Sequence, residues 1–397
     1  MPWDIQAPAV FRILVNGTAL EDDIKRKIMS VTWRDASVGA DSIEITMRDP
    51  SLKTVDQRVF AEGNEVDLFL GYGNRLQFVG RGQVWEPPSV SASERAQPQV
   101  TVTALGAARR MMEASKKKKG RSFGKSALEL NIVERIAGDY SFAVQGEQPG
   151  NDRKTFKRSG MSDWEYLQKM AFYAGYRLWV EWIPSKSGGR WTVVFKPPGR
   201  GPTRPRNARA SNYRFVWGLD YAEIANRLLS WDVTYSAEAG ASSIEVLRFD
   251  RKTHNYAVLV ANLEQAGIKW SFHGPSGMEL IQEEIKTGSR VVFTAFGKQI
   301  HVVRDKPFKS DKEALEYAKS WLRKRALSFI LLRGTVPGLP DLKKYTTHKL
   351  EGLPSRLAGD YEILDIETTW AAGGTMRTTF SAQRAEDVGL DMADFRA

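Results

Sequence analysis

Over the first hundred residues, apolar and polar positions alternate in short runs: "FRILVNG", "SVTWR", "DSIEITMRD", "EVDLFLGYG", "RLQFVGRGQVW" and "QVTVTAL". Each run is bounded by Gly, Asn, Asp or Pro. Period-two alternation with such punctuation predicts half-buried strands in a small barrel or sandwich. After Glu113 the pattern changes to a lysine run and then "SALELNIVERIAG", where Leu128, Ile132 and Ile136 recur at helical spacing. Ser126 and Glu129 have the spacing of a capping box, in which the serine oxygen accepts from an amide and the glutamate reaches back.

The same box recurs at Ser162 and Glu165, opening "SDWEYLQKMAFYAG", with Gly175 placed to stop the helix. An aromatic hairpin follows. Tyr176, Leu178, Val180 and Trp182 fall on one side of its first strand, and Trp191, Val193 and Phe195 on its partner. The helix stripe and this hairpin face are expected to bury one another, which leaves Trp179 outward beside Arg177 and Arg190. "KPPGRGPTRPRNARASNYR" reads as a connector. Strands resume with "RLLSWDVTYS", "SSIEVLRFD", "NYAVLVANL" and "RVVFTAFG". A third box, Ser310 with Glu313, opens the longest predicted helix, 310–327.

Two stretches near opposite ends compare with one another. "FVGRGQVW" (78–85) and "LAGDYEIL" (357–364) each lead into a strand. Gly80 lies 24 residues before Ala104, and Gly359 lies 23 before Ala382. Two meanders of nearly equal length suggest one barrel present twice. The expected fold is mainly β with an α+β insert: two similar small β-barrels plus a middle helix-hairpin domain. The predicted division is 1–113 for the first barrel, 114–215 for the basic middle domain and linker, 216–390 for the second barrel region, and 391–397 for a flexible tail.

Charge and composition narrow the chemistry. The 397 residues carry a net charge of +11, no cysteine and four histidines. The absence of cysteine excludes disulfides, thiolate nucleophiles and cysteine zinc sites. The histidines, at 254, 273, 301 and 348, lack the close spacing of a metal-binding pair. Six basic residues and no acid lie between Glu113 and Glu129 (Lys116, Lys117, Lys118, Lys119, Arg121 and Lys125), and eight between Glu181 and Asp220, among them Arg200, Arg204 and Arg206. These segments are equally readable as contacts for a polyanion or partner and as solvated loops. "GRSFGKS" misses the spacing of a phosphate-binding loop by one residue, and no nucleophile elbow or dinucleotide loop appears. No catalytic, cofactor-binding or metal-binding residue is expected. No apolar run is long enough to cross a bilayer, and the N-terminus lacks the basic start of a secretory signal.

The order of the parts carries a resemblance. "GADSIEITMRDP", "FAEGNEVDLFLGYG" and "FVGRGQV", then "SALELNIVERIA", "SDWEYLQKMAFYAGYRLWV" and "DKEALEYAKSWLRKRA", leading to "LAGDYEILDIETTW", together resemble the baseplate hub proteins of contractile-tailed phages, the late control D protein family. That family's fold is shared by the N-terminal part of type VI secretion spike proteins. The resemblance implies a non-enzymatic homotrimer, a ring adapting the hexameric tail tube to the trimeric spike around a central channel. Its implied partners are tube and spike proteins, with the tape-measure protein and DNA as further candidates. Its implied place is the baseplate of the virion, after assembly in the host cytoplasm. The rival readings are a nucleic-acid-binding protein using the basic middle segments and a peptidoglycan-degrading tail enzyme.

Overall fold

The computed structural model describes residues 3–93, 96–113, 128–149, 161–185, 188–197, 213–218, 226–235, 243–250, 255–262, 272–273, 279–280, 300–303, 330–354 and 357–384, with helical positions at 314, 315, 317, 318 and 321. The chain opens with β1 (Ala9–Val15), β2 (Thr18–Ala19), α1 (Asp22–Lys27), β3 (Ile28–Asp35) and β4 (Ser42–Arg48). Asn16 and Gly17, both at positive φ, make the β1–β2 turn, the chemistry an Asn-Gly pair supplies. After α2 (Lys53–Asp56) come β5 (Glu65–Tyr72), β6 (Arg75–Val84), β7 (Ser89–Ser93), β8 (Ala96–Leu105) and α3 (Ala108–Glu113). The predicted alternation is visible where Ile43, Ile45 and Met47 lie opposite Ala104, Val102 and Val100, all fully buried.

The middle of the chain holds α4 (Glu129–Asp139), β9 (Ala143–Gly146), α5 (Asp163–Ala174), β10 (Arg177–Ile183) and β11 (Arg190–Lys196). The three strands form a sheet of order β10-β11-β9. Ser162 and Glu165 make a reciprocal capping box at α5, and Gly175 ends the helix at φ 69°. Trp164, Leu167 and Met170 pack on Leu178, Val180, Trp191, Val193 and Phe195 in a core of their own, which α4 joins through Ile132, Val133 and Ile136. The cap at α4 differs from the expectation. Leu128 occupies the N-cap, so Glu129 is the first helical residue and stands too early to reach back as a box glutamate. Gln148 serves this end instead. Its Oε1 accepts from the Leu130 amide at 3.1 Å and its Nε2 donates to Glu129 at 2.9 Å. Ser126, and the third box at Ser310 and Glu313, lie outside the described residues, as does most of the predicted helix 310–327.

The last part contains β12 (Arg214–Val216), β13 (Ser230–Tyr235), β14 (Ser243–Asp250), β15 (Asn255–Asn262), β16 (Phe272–His273), β17 (Glu279–Leu280) and β18 (Ile300–Val303). It finishes with β19 (Ile330–Pro337), β20 (Thr347–Glu351), β21 (Gly359–Ala371) and β22 (Thr375–Arg384). Strands β14, β15 and β18 form a separate three-stranded sheet, and β16 pairs with β17.

The fold is mainly β with an α+β insert, but the two related units are not closed barrels. Among the described residues fourteen strands make one sheet, with the main path β13-β19-β22-β21-β3-β4-β8-β6-β5-β1-β2. The units open into one another because β3, the outer strand of the first, pairs antiparallel with the second half of β21 from Ile366 to Ala371. One core spans both, from Ile13 and Leu68 to Phe215, Tyr361 and Phe380.

The internal repeat is explicit in the strand registers. In the first unit β3 pairs with β4, β4 with β8, and β8 with β6 and β7; in the second, β13 pairs with β19, β19 with β22, and β22 with β21, all antiparallel. Ile43 sits opposite Ala104 as Leu332 sits opposite Ala382, and Trp33 sits opposite Ile43 as Val233 sits opposite Leu332. Ile43, Ile45 and Met47 therefore correspond to Leu332, Gly334 and Val336, and all six are buried. Strands β6 and β7 together correspond to the single long strand β21, broken in the first unit at Pro87 and Pro88.

Candidate functional site

The middle unit meets both sheet units at one place, built from the end of β3, the β3–β4 loop, β10 and the segment before β20. Tyr345 there has φ 61°, a conformation costly for a bulky residue and retained only where its surroundings fix it. Its ring packs 5.1 Å from Trp179 of β10. Lys344, its neighbour, points into the joint between the sheet units. Lys344 Nζ lies 2.7 Å from Asp35 and 2.7 Å from Asp41, and donates to the Ala36 carbonyl at 2.8 Å. All three charged side chains are buried. Asp41 also accepts from the Ala36 amide at 3.0 Å.

A small cavity of about 30 Å³ adjoins this cluster, walled by Trp33, Trp179, Trp182 and Trp191. Glu181 reaches the same cavity, and its Oε1 has neither access to solvent nor a hydrogen-bond partner. Lys343 lines it too and donates to the Val79 carbonyl at 2.9 Å. Such a volume holds about one water. The arrangement is an electrostatic clamp.

Burial raises the cost of charge for every group here, and the neighbours decide the outcome. For Asp35, burial acts upward but the Lys344 and Lys343 charges hold the carboxyl below its ordinary range. For Asp41, burial is the larger effect; Lys344 opposes it, the Asp35 charge adds to it, and the carboxyl is pushed up to about 7. Burial likewise pushes Glu181 up, against the pull of Lys343. Lys344, between two carboxylates, stays protonated, its ammonium held above its ordinary value despite burial. The Asp35–Lys344 pair therefore carries the charge at neutral pH, and Asp41 titrates first on acidification.

Two further contacts tie the middle unit down. Arg177 of β10 grips Glu362 of β21 through Nη2 at 2.5 Å and Nε at 3.3 Å, and Gln383 donates to the same carboxylate at 2.8 Å. On the other side Arg81 of β6 stacks 3.8 Å over the Trp182 ring while binding Asp67 at 2.5 and 2.6 Å.

The residues singled out in the sequence fall elsewhere. Lys116, Lys117, Lys118, Lys119, Arg121, Lys125, Arg200, Arg204 and Arg206 all lie outside the described residues. Trp179, expected outward, is buried against Val194 and Tyr345, because the hairpin covers the helices with one face and the segment around Tyr345 with the other. Its neighbour Arg177 is held by Glu362 for the same reason. The clamp itself left no mark in the sequence: none of the patterns above singles out Asp35, Asp41 or Lys344. Among the described residues no group of His, Asp and Glu is arranged to hold a metal, and no helix is long and apolar enough to cross a membrane.

No protein-family model matches the chain, and no curated protein does. Solved structures do. The tail protein from Neisseria meningitidis MC58 superposes with a TM-score of 0.63 at 13% identity, covering 95% of this chain and 97% of that one. The 43 kDa tail protein of prophage MuSo2 from Shewanella oneidensis gives 0.62 at 10% identity, over 96% and 100%. The E. coli c3393 protein, a type VI secretion component with structural similarity to the T4 tail proteins gp27 and gp5, gives 0.50 at 12% identity, over 95% and 78%. Identities this low establish the fold alone, and over nearly its whole length the fold of this chain is that of phage tail proteins and their type VI secretion counterparts.

Proposed function

We propose that the chain is the baseplate hub of a phage or phage-derived contractile tail, of the late control D type, and acts as a structural protein rather than an enzyme. Three copies form a ring that adapts the hexameric tail tube to the trimeric spike around a central channel. The observation that carries this reading is the repeat of one four-stranded unit, in matching register, within a single chain. Three chains then offer six similar faces to a sixfold tube while keeping threefold symmetry for a spike. The clamp around Lys344 fixes the middle unit across the joint between the two sheet units and so keeps them in one orientation. The basic segments 116–125 and 200–206 are the candidate contacts for anionic partners, the tape-measure protein and DNA among them. Assembly in the host cytoplasm and a final place in the tail baseplate follow from this role.

Native mass spectrometry of the full chain at micromolar concentration tests the reading. A dominant species of three copies is expected; a monomer or a dimer at every concentration would overturn it.

A further inference from the structure

The two matching units differ at their edges. In the first, β3 is covered by the second half of β21. Its counterpart β13 pairs with β19 alone among the described residues, and β7, the counterpart of that half of β21, pairs with β8 alone. Burial follows the pairing. Trp33 and Thr368, opposite one another in the chain, are 5% and 1% exposed. Their counterparts are Val233, which is half-buried, and Val90, which is 45% exposed.

An uncovered strand edge presents unpaired backbone groups and is a template for another strand. Proteins that keep such edges apart place Lys or Pro on them. Neither strand has these guards: β7 reads Ser-Val-Ser-Ala-Ser and β13 reads Ser-Trp-Asp-Val-Thr-Tyr. Asp232 is the one charge in either strand, so no like charges oppose pairing.

We propose that β13 of one copy pairs antiparallel with β7 of the next copy, in the register that β3 and β21 hold within the chain. The inference rests on the ring reading above and gives it a joint. Trp33 lies opposite Thr368, and Thr368 opposite Thr378. Thr378 corresponds to Val100, which lies opposite Val90. Val233, the counterpart of Trp33, thus meets Val90, with Thr234 opposite Ser89 and Asp232 opposite Ser91. Each copy contributes one strand of each kind. The contact is head-to-tail, and three chains close a ring of six similar joints, three internal and three between copies.

The absence of cysteine makes the register directly testable in the full chain. Directly opposed cysteines on antiparallel strands stand within disulfide range. Under mild oxidation, V90C/V233C is expected to give a reducible ladder of covalent dimers and trimers on denaturing gels, whereas neither single variant does. Val38, 81% exposed on the β3–β4 loop, provides V38C/V233C as the collision control. A ladder no stronger than that control would overturn the pairing. A native trimer without the ladder would overturn the pairing and leave the ring reading standing; the absence of any oligomer would overturn both.

Discussion

Replacing Lys344 with Met removes the one cation that two buried carboxylates share, and the structure sets the size and the pH dependence of the loss. Taking one partner from a buried ion pair costs about 3–5 kcal/mol, because the remaining charge is left without compensation. Here Asp35 and Asp41, 2.7 Å from the ammonium, are both stranded. The sign of the pH effect follows from linkage. In the native protein Asp35 is held low, so its contribution is present above the ordinary carboxyl value of 3.8 and is lost as pH falls through its folded pKa. Asp41 is raised to about 7, so its contribution is present at acid pH and lost as pH rises through that value. Without Lys344 the upward push of burial is opposed only by the Lys343 charge at Asp35 and by backbone amides at both carboxyls, so the folded variant favours their protonated forms more than the parent does. Its deficit therefore grows with pH. Urea unfolding followed by tryptophan fluorescence suits the question, since four tryptophans wall the adjoining cavity. Lys344→Met is expected to lose about 3–5 kcal/mol at pH 8 and to recover at least about 1 kcal/mol of that at pH 5.5, each unit of pKa shift being worth about 1.4 kcal/mol. A loss below about 1 kcal/mol at pH 8, or an equal loss at both pH values, would refute the clamp.

Other expectations follow from single contacts. Gly80→Ala places a Cβ 2.2 Å from the Trp33 ring, so it should cost about 1–3 kcal/mol in thermal or denaturant unfolding. Ser162→Ala breaks the capping box of α5 and should cost about 1 kcal/mol, while Ser162→Gly should cost only a few tenths. Arg177→Ala leaves Glu362 with Gln383 alone; a loss of about 1.5–3 kcal/mol and faster limited proteolysis of the middle unit are expected. Neutralising Lys116 to Lys119 should flatten the salt dependence of any DNA binding, in proportion to the phosphate contacts removed.

Much of the fold was legible because it rests on local patterns. Ser162, Glu165 and Gly175 mark the two ends of α5 by hydrogen-bonding chemistry that needs no tertiary information. The alternation in β4 and β8 survives because only one face of each strand is buried. The spacing from Gly80 to Ala104 and from Gly359 to Ala382 pointed to the repeat, which the registers make explicit. What stayed hidden depends on long-range packing. At the start of α4 Leu128 holds the N-cap position, and Gln148, nineteen residues beyond Glu129, accepts from the Leu130 amide through a contact no periodicity shows. Closed barrels were expected because a meander does not reveal where its outer strand pairs, and β3 pairs 331 residues away with β21. Trp179 looked outward because period two assigns faces without saying whether both are covered. Lys344, Asp35 and Asp41 are polar residues in polar stretches, and only the fold brings them within 3 Å.

The central claim is that one chain supplies two equivalent positions around a pore, and the rotational symmetry of the isolated assembly tests it most directly. Averaged electron-microscopy images viewed along the axis should show an open-centred ring with six peripheral lobes of two alternating kinds. Three lobes, a filled centre or compact particles of a single copy would contradict the account.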